Sequence, residues 1–211
     1  MNRQTLEAVL PNAGKGRKGK LFLSKNCFSP GNAVILYQYL KLSLLDVNNW
    51  NSRKTGISVN AKLMDRHGRP VGRIAQVGDR IKIMLSRWQS LIRIFNWFEI
   101  RKIEERLSEN IEFFFITVAP SCDPGIDFSD APGFQKLGST VTIFIIHDEH
   151  KIDLQIHTGE SNVGFQGDTW KGKLRNLVNV LFIHSGYYKQ QWAKLLRSLL
   201  EEGSSNFTNL N

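Results

Sequence analysis

Residues 151–200 read KIDLQIHTGESNVGFQGDTWKGKLRNLVNVLFIHSGYYKQQWAKLLRSLL, and their rhythm changes midway. Ile152, Leu154 and Ile156 alternate with Asp153, Gln155 and His157, the two-residue period of a strand with one apolar face. Beyond Asp168, Leu174, Leu177, Val178, Leu181 and Phe182 fall at three- and four-residue spacing, and Trp192, Leu195, Leu196, Leu199 and Leu200 resume it. The period moves from 2 to 3.6, so strands hand over to helix.

Working outward, alternation runs back to about Ile57. It predicts strands over 57–64, 71–76, 80–85, 96–103, 111–118, 140–146 and 152–157, with a short first strand at 21–23. Turns fall at His67-Gly68-Arg69-Pro70, Gly78-Asp79 and Asp148-Glu149. Ser29-Pro30-Gly31-Asn32 opens an early helix over 33–47 with Asn32 as its N-cap; Asn48-Asn49 stops it and Trp50 follows as an apolar anchor. The last helical region spans 170–202, capped by Asp168 or Thr169 and broken near Gly186. The fold class is α+β: a curved antiparallel sheet of six or seven strands packed on a long C-terminal helix, with one early helix. Residues 1–20 form a basic flexible arm, 21–202 a single α+β domain and 203–211 a polar tail.

The chain has 211 residues, 41% of them hydrophobic, including 13 Phe and 5 Trp, which is enough for a substantial core. No run of 18 apolar residues suits a membrane span, and Leu6 to Leu10 is too short for a secretory h-region. Cys27 and Cys122 read as reduced thiols rather than a disulfide framework. The expected location is the cytoplasm, with signal-independent export left open. Net charge is +9, and it is uneven. Residues 51–106 carry +8 and residues 107–169 carry −8, so neighbouring strands could pair these charges across the sheet. The excess could equally meet nucleic acid, an anionic surface or an acidic protein.

The order of an early helix, six or seven antiparallel strands and a long closing helix, with Trp50 after the first helix, resembles the helix-grip proteins of the START and Bet v 1 type across residues 21–202. The resemblance implies a sheet wrapped around the C-terminal helix with a cavity between them. It departs at the start, where that family has two short helices before its main strands and one is read here. Val77-Gly78-Asp79-Arg80-Ile81-Lys82-Ile83 and Asn96-Trp97-Phe98-Glu99-Ile100 also resemble uncharacterised bacterial proteins, a likeness that supplies no activity.

His147-Asp148-Glu149-His150, with His157 beyond, is the densest set of potential metal ligands, yet it sits at a hairpin tip and is read as a solvated turn. Cys122 reads as a plain loop thiol, and Asp123, Asp127 and Asp130 lack calcium-loop spacing. Gly159, Ser161, Gly164 and Gly167 match neither GxSxG nor a phosphate loop. No catalytic residue, cofactor site or metal site is assigned. Lys15, Arg17, Lys18 and Lys20 in the arm, with Lys173 and Arg175 beside Trp170, are the anion-binding candidates. The segment 111–118 is apolar on both faces, so it needs a helix on one side and a loop, a second copy or a bound apolar molecule on the other.

These features describe a non-enzymatic binding module with an apolar pocket between sheet and C-terminal helix, lined by Trp97, Phe113, Phe115, Phe144 and Leu181 and taking an apolar small molecule. Two alternatives stand beside it. One is a basic docking protein for nucleic acid or an acidic protein surface; the other is an effector or cargo of a bacterial export or injection apparatus.

Overall fold

Strands β1 (Gly19–Asn26), β2 (Asn60–Met64), β3 (Arg80–Met84), β4 (Asn96–Ser108), β5 (Ile111–Ser121), β6 (Thr140–Asp148) and β7 (Lys151–Gly159) form one curled antiparallel sheet. Their order is β1-β7-β6-β5-β4-β3-β2, so the first strand returns to lie beside the last. Helix α1 (Pro30–Leu45) and a 3-10 helix (Val47–Ser52) follow β1, and helix α2 (Tyr187–Thr208) closes the chain. The computed structural model describes residues 19–52, 60–84, 96–108, 110–121, 124, 140–159 and 187–208. The predicted starts of the last helical region and the break near Gly186 lie outside them, as does most of the basic arm.

Local chemistry explains where the elements begin and end. Pro30 occupies the first turn of α1, where its missing N–H costs nothing, and the Ser29 side chain accepts from the Asn32 N–H at 3.2 Å. Ser29, not Asn32, is therefore the cap, because Pro30 can only follow it. The 3-10 helix at Val47–Ser52 is the second short helix that the residues had not revealed. It also blocks the sheet edge: Asn48 Oδ1 accepts from the Leu63 N–H at 3.0 Å, and Leu63 O accepts from the Val71 N–H.

Residues 71–76 do not form the expected strand. After the isolated bridge between Met64 and Pro70, the Ala75 N–H donates to Leu45 O at the end of α1. Arg73 and the Gln76 N–H close on the Asp79 carboxylate, making a folded loop rather than a ladder. Strand β4 instead extends to Ser108, five residues past its expected end, because a bulge between Ile100 and Lys102 shifts the register and hides the continued alternation.

The helices cover one face of the sheet, here called inner. Phe98, Ile100, Phe114, Ile116, Ile143 and Leu154 face it and pack with α1 and α2 in one core. Helix α2 contributes Trp192, Leu195, Leu196, Leu199 and Leu200, the apolar stripe visible in the sequence. It runs on to Thr208, where a polar tail was expected. Gly203 is the reason: a Cβ there would stand 2.6 Å from Leu36 Cδ1 and 2.7 Å from Tyr39 Cδ1 of α1. Gly203 brings the two helices together rather than ending one.

Candidate functional site

The inner face has an aromatic middle and a polar end. In the middle, Trp192 meets Trp50 edge-on, with ring centroids 5.8 Å apart, and Phe98 likewise at 6.1 Å. The Trp50 indole N–H donates to Ser43 O at 3.1 Å. Trp192 Nε1 is buried and meets no acceptor, as does Ser198 Oγ on the same helix. A buried donor left unmade costs about 1–3 kcal/mol, so such atoms are rare and informative.

The polar end lies where side chains of α1 meet those of β4 and β6, beside Glu112 of β5. The Tyr37 hydroxyl donates to Glu105 Oε1 at 3.2 Å, and Lys41 Nζ grips both oxygens of Glu105 at 2.8 and 2.9 Å. His147 stands beside Tyr37, with centroids 5.6 Å apart. Its Nδ1 lies 2.7 Å from Glu112 Oε2 and its Nε2 lies 3.1 Å from Glu149 O. The strand pairing dictates this gathering: Glu112 is directly opposite His147, and Glu105 falls one row away opposite Phe114. Burial, then the Glu105 carboxylate and its hydrogen bond, hold the Tyr37 phenol well above its ordinary range. The group is chemically suited to orient a polar atom at the edge of an apolar layer.

The outer face carries a second apolar cluster of Phe113, Phe115, Phe144 and Ile146. Lys102 Nζ and the Arg106 guanidinium stand over the Phe115 ring at 5.1 and 5.9 Å, and Lys82 Nζ stands over Trp97 at 5.3 Å. Burial of these phenylalanines is complete within a single chain, so it requires neither a second copy nor a bound molecule.

Four residues assigned from the sequence to the pocket thus face away from α2. Phe113, Phe115 and Phe144 belong to the outer cluster, and Trp97 alternates with Phe98, which faces inward. They cannot line a space between sheet and C-terminal helix. The fifth, Leu181, lies outside the described residues, together with Lys15, Arg17, Lys18, Lys173, Arg175 and Cys122. Lys20 lies in β1 opposite His157. The turn residues separate as well: His147 points inward, while His157 faces outward against Phe144 at 5.1 Å. Among the described residues no group of three or more His, Cys, Asp or Glu could hold a metal ion. Burial raises the Cys27 thiol above its ordinary value, against a smaller opposing effect of Lys25, which disfavours the reactive thiolate. No described helix is long and apolar enough to cross a membrane.

The residues that sequence reasoning missed are Tyr37, Lys41, Glu105, Glu112 and Trp192. Only Glu112 carried a usable signal, a carboxylate at the start of an otherwise apolar strand.

No family model matches the chain. No curated protein matches it either. Solved structures do. Zhui aromatase/cyclase from Streptomyces sp. R1128 is 10% identical over 89% of this chain and 94% of its own, with a TM-score of 0.40. A START superfamily protein from Mycobacterium smegmatis is 12% identical over 89% and 99%, at 0.39. Ginseng major latex-like protein 151 from Panax ginseng is 15% identical over 79% and 94%, at 0.35. Likenesses this distant say nothing of ligand or activity. The strand order and the helices on one face give the helix-grip arrangement on their own.

Proposed function

We infer that this chain is a binding module that holds an apolar small molecule between the inner face of the sheet and α2. The observation that carries it is the division of the inner face: an apolar middle around Trp192, and a polar group of Tyr37, Lys41, Glu105, Glu112 and His147 confined to one end. An apolar surface with a few convergent polar groups, one of them titrating far from its usual range, is the usual form of a small-molecule site. The inner-facing Ile116, Ile143 and Leu199 replace the outer-facing phenylalanines as lining residues.

Titration with the neutral probe N-phenyl-1-naphthylamine tests this. One saturable site per chain is expected. Ile116→Trp, which fills the inner layer, should weaken binding about tenfold, the order expected for one displaced apolar contact, whereas Phe22→Ala on the outer face should leave it unchanged. Absence of saturable binding, or equal loss in both variants, would contradict the proposal.

A further inference from the structure

Two tryptophans face one another on the inner side of the sheet, and the fold treats their indole N–H groups differently. Trp50 is given an acceptor, the Ser43 carbonyl at 3.1 Å. Trp192, 1% exposed, is given none. Among the described residues around it, none offers an acceptor. The rings touching it, Trp50 and Phe98, present no acceptor oxygen. Neighbouring inner-face side chains such as Ile81, Ile83 and Ile100 are aliphatic, and strand carbonyls are committed to the ladders. The polar side chains of this face stand at its other end, already engaged with one another.

We propose that Trp192 Nε1 is the polar anchor for the bound molecule, and that the ligand is therefore an apolar compound carrying a hydrogen-bond acceptor oxygen, a carbonyl or ether, rather than a pure hydrocarbon. This rests on the binding role inferred above and adds the chemical class of the ligand. An apolar site with one buried donor discriminates by that donor: a ligand with an acceptor satisfies it, and a matched ligand without one leaves it unmade. The Trp192 ring also supplies a flat apolar wall, so one residue both packs the ligand and fixes its orientation.

The test uses a matched pair of probes on the full chain, 2-acetylnaphthalene and 2-ethylnaphthalene, with indole N–H resonances observed by NMR after 15N labelling of tryptophan. The Trp192 resonance is identified by its disappearance in Trp192→Phe. Both probes should bind, the acetyl compound about five- to tenfold more tightly, as one net hydrogen bond allows. The acetyl compound alone should move the Trp192 N–H resonance downfield, and Trp192→Phe should abolish the preference while retaining the ethyl compound. If both probes bind equally and the Trp192 resonance stays in place, the anchor is wrong and the binding role stands. The anchor is equally wrong if that resonance is shifted upfield without ligand and does not move on binding, because the N–H then already caps the face of Trp50 or Phe98. If neither probe binds, the binding role itself fails and the anchor fails with it. If Trp192→Phe does not fold, the Trp192 resonance is assigned in the unmodified protein by its NOEs to the Trp50 and Phe98 rings, and its response to the two probes decides the matter.

Discussion

Tyr37 shows how a single residue ties the polar end to stability. Its phenol is buried against Glu105, so the neutral form is strongly favoured in the fold. In the unfolded chain it ionises near its ordinary value of 10.0. Above that pH the unfolded state loses a proton that the folded state keeps, and stability falls as pH rises. Denaturant unfolding between pH 9 and 12 should therefore show a loss approaching about 1.4 kcal/mol per pH unit, which Tyr37→Phe removes. Identical pH dependence in the two proteins would contradict this account of Tyr37. The residue scale is also where the sequence was least legible. In β5, Phe113 and Phe115 face out while Phe114 and Ile116 face in. Both sets are apolar, so alternation separates the faces without saying which one the helices cover. The phenylalanines assigned to the pocket lie on the face that the helices do not cover. Glu105 was hidden differently, because the bulge before Lys102 turns it inward against the parity of the strand that precedes it.

At the scale of elements, helix ends and contacts carry the argument. Six strands, β2 to β7, and the stripe of α2 follow from two periodicities, which is why the fold class was legible. What failed was punctuation. Gly203-Ser204-Ser205 looks like a tail, yet it forms helix, with Ser204 Oγ donating to Leu200 O at 2.7 Å. Helix propensity favours Gly203→Ala by about 1 kcal/mol, but overpacking of this kind costs about 1–3 kcal/mol. The new Cβ would press on the Tyr39 ring as well as Leu36, so net destabilisation is expected, read as a lower midpoint in urea unfolding; a stabilised Gly203→Ala would show that α1 and α2 are not in close contact. Residues 71–76 failed in the opposite sense: they alternate like a strand, but Pro70 and Gly72 weaken a ladder, and the Ala75 N–H finds Leu45 O of α1 while the Gln76 N–H finds the Asp79 carboxylate. The N-terminus of α1 gives a sharper check. Ser29→Ala removes the acceptor for the Asn32 N–H and should cost about 1 kcal/mol, whereas Asn32→Ala should cost little by the same unfolding measurement.

For the molecule as a whole, the sheet has two apolar faces with different uses. The outer one is built from Phe113, Phe115, Phe144 and Ile146 with cations above them, and it contributes to stability. The inner one meets α1 and α2 and holds the only buried indole N–H without an acceptor among the described residues. The proposed binding role lies on the inner face. That assignment was half legible, since the order of elements pointed to a sheet gripping a helix, while the polar end is assembled from residues far apart in the chain. The most direct measurement is an isotope-filtered NOE experiment on the labelled chain with bound N-phenyl-1-naphthylamine. Cross-peaks from the probe to methyl groups of Ile116, Ile143 and Leu199 are predicted. Cross-peaks to Ile146 and the Phe113 or Phe144 rings, with none to Ile116, Ile143 or Leu199, would place the ligand on the opposite face and contradict the account.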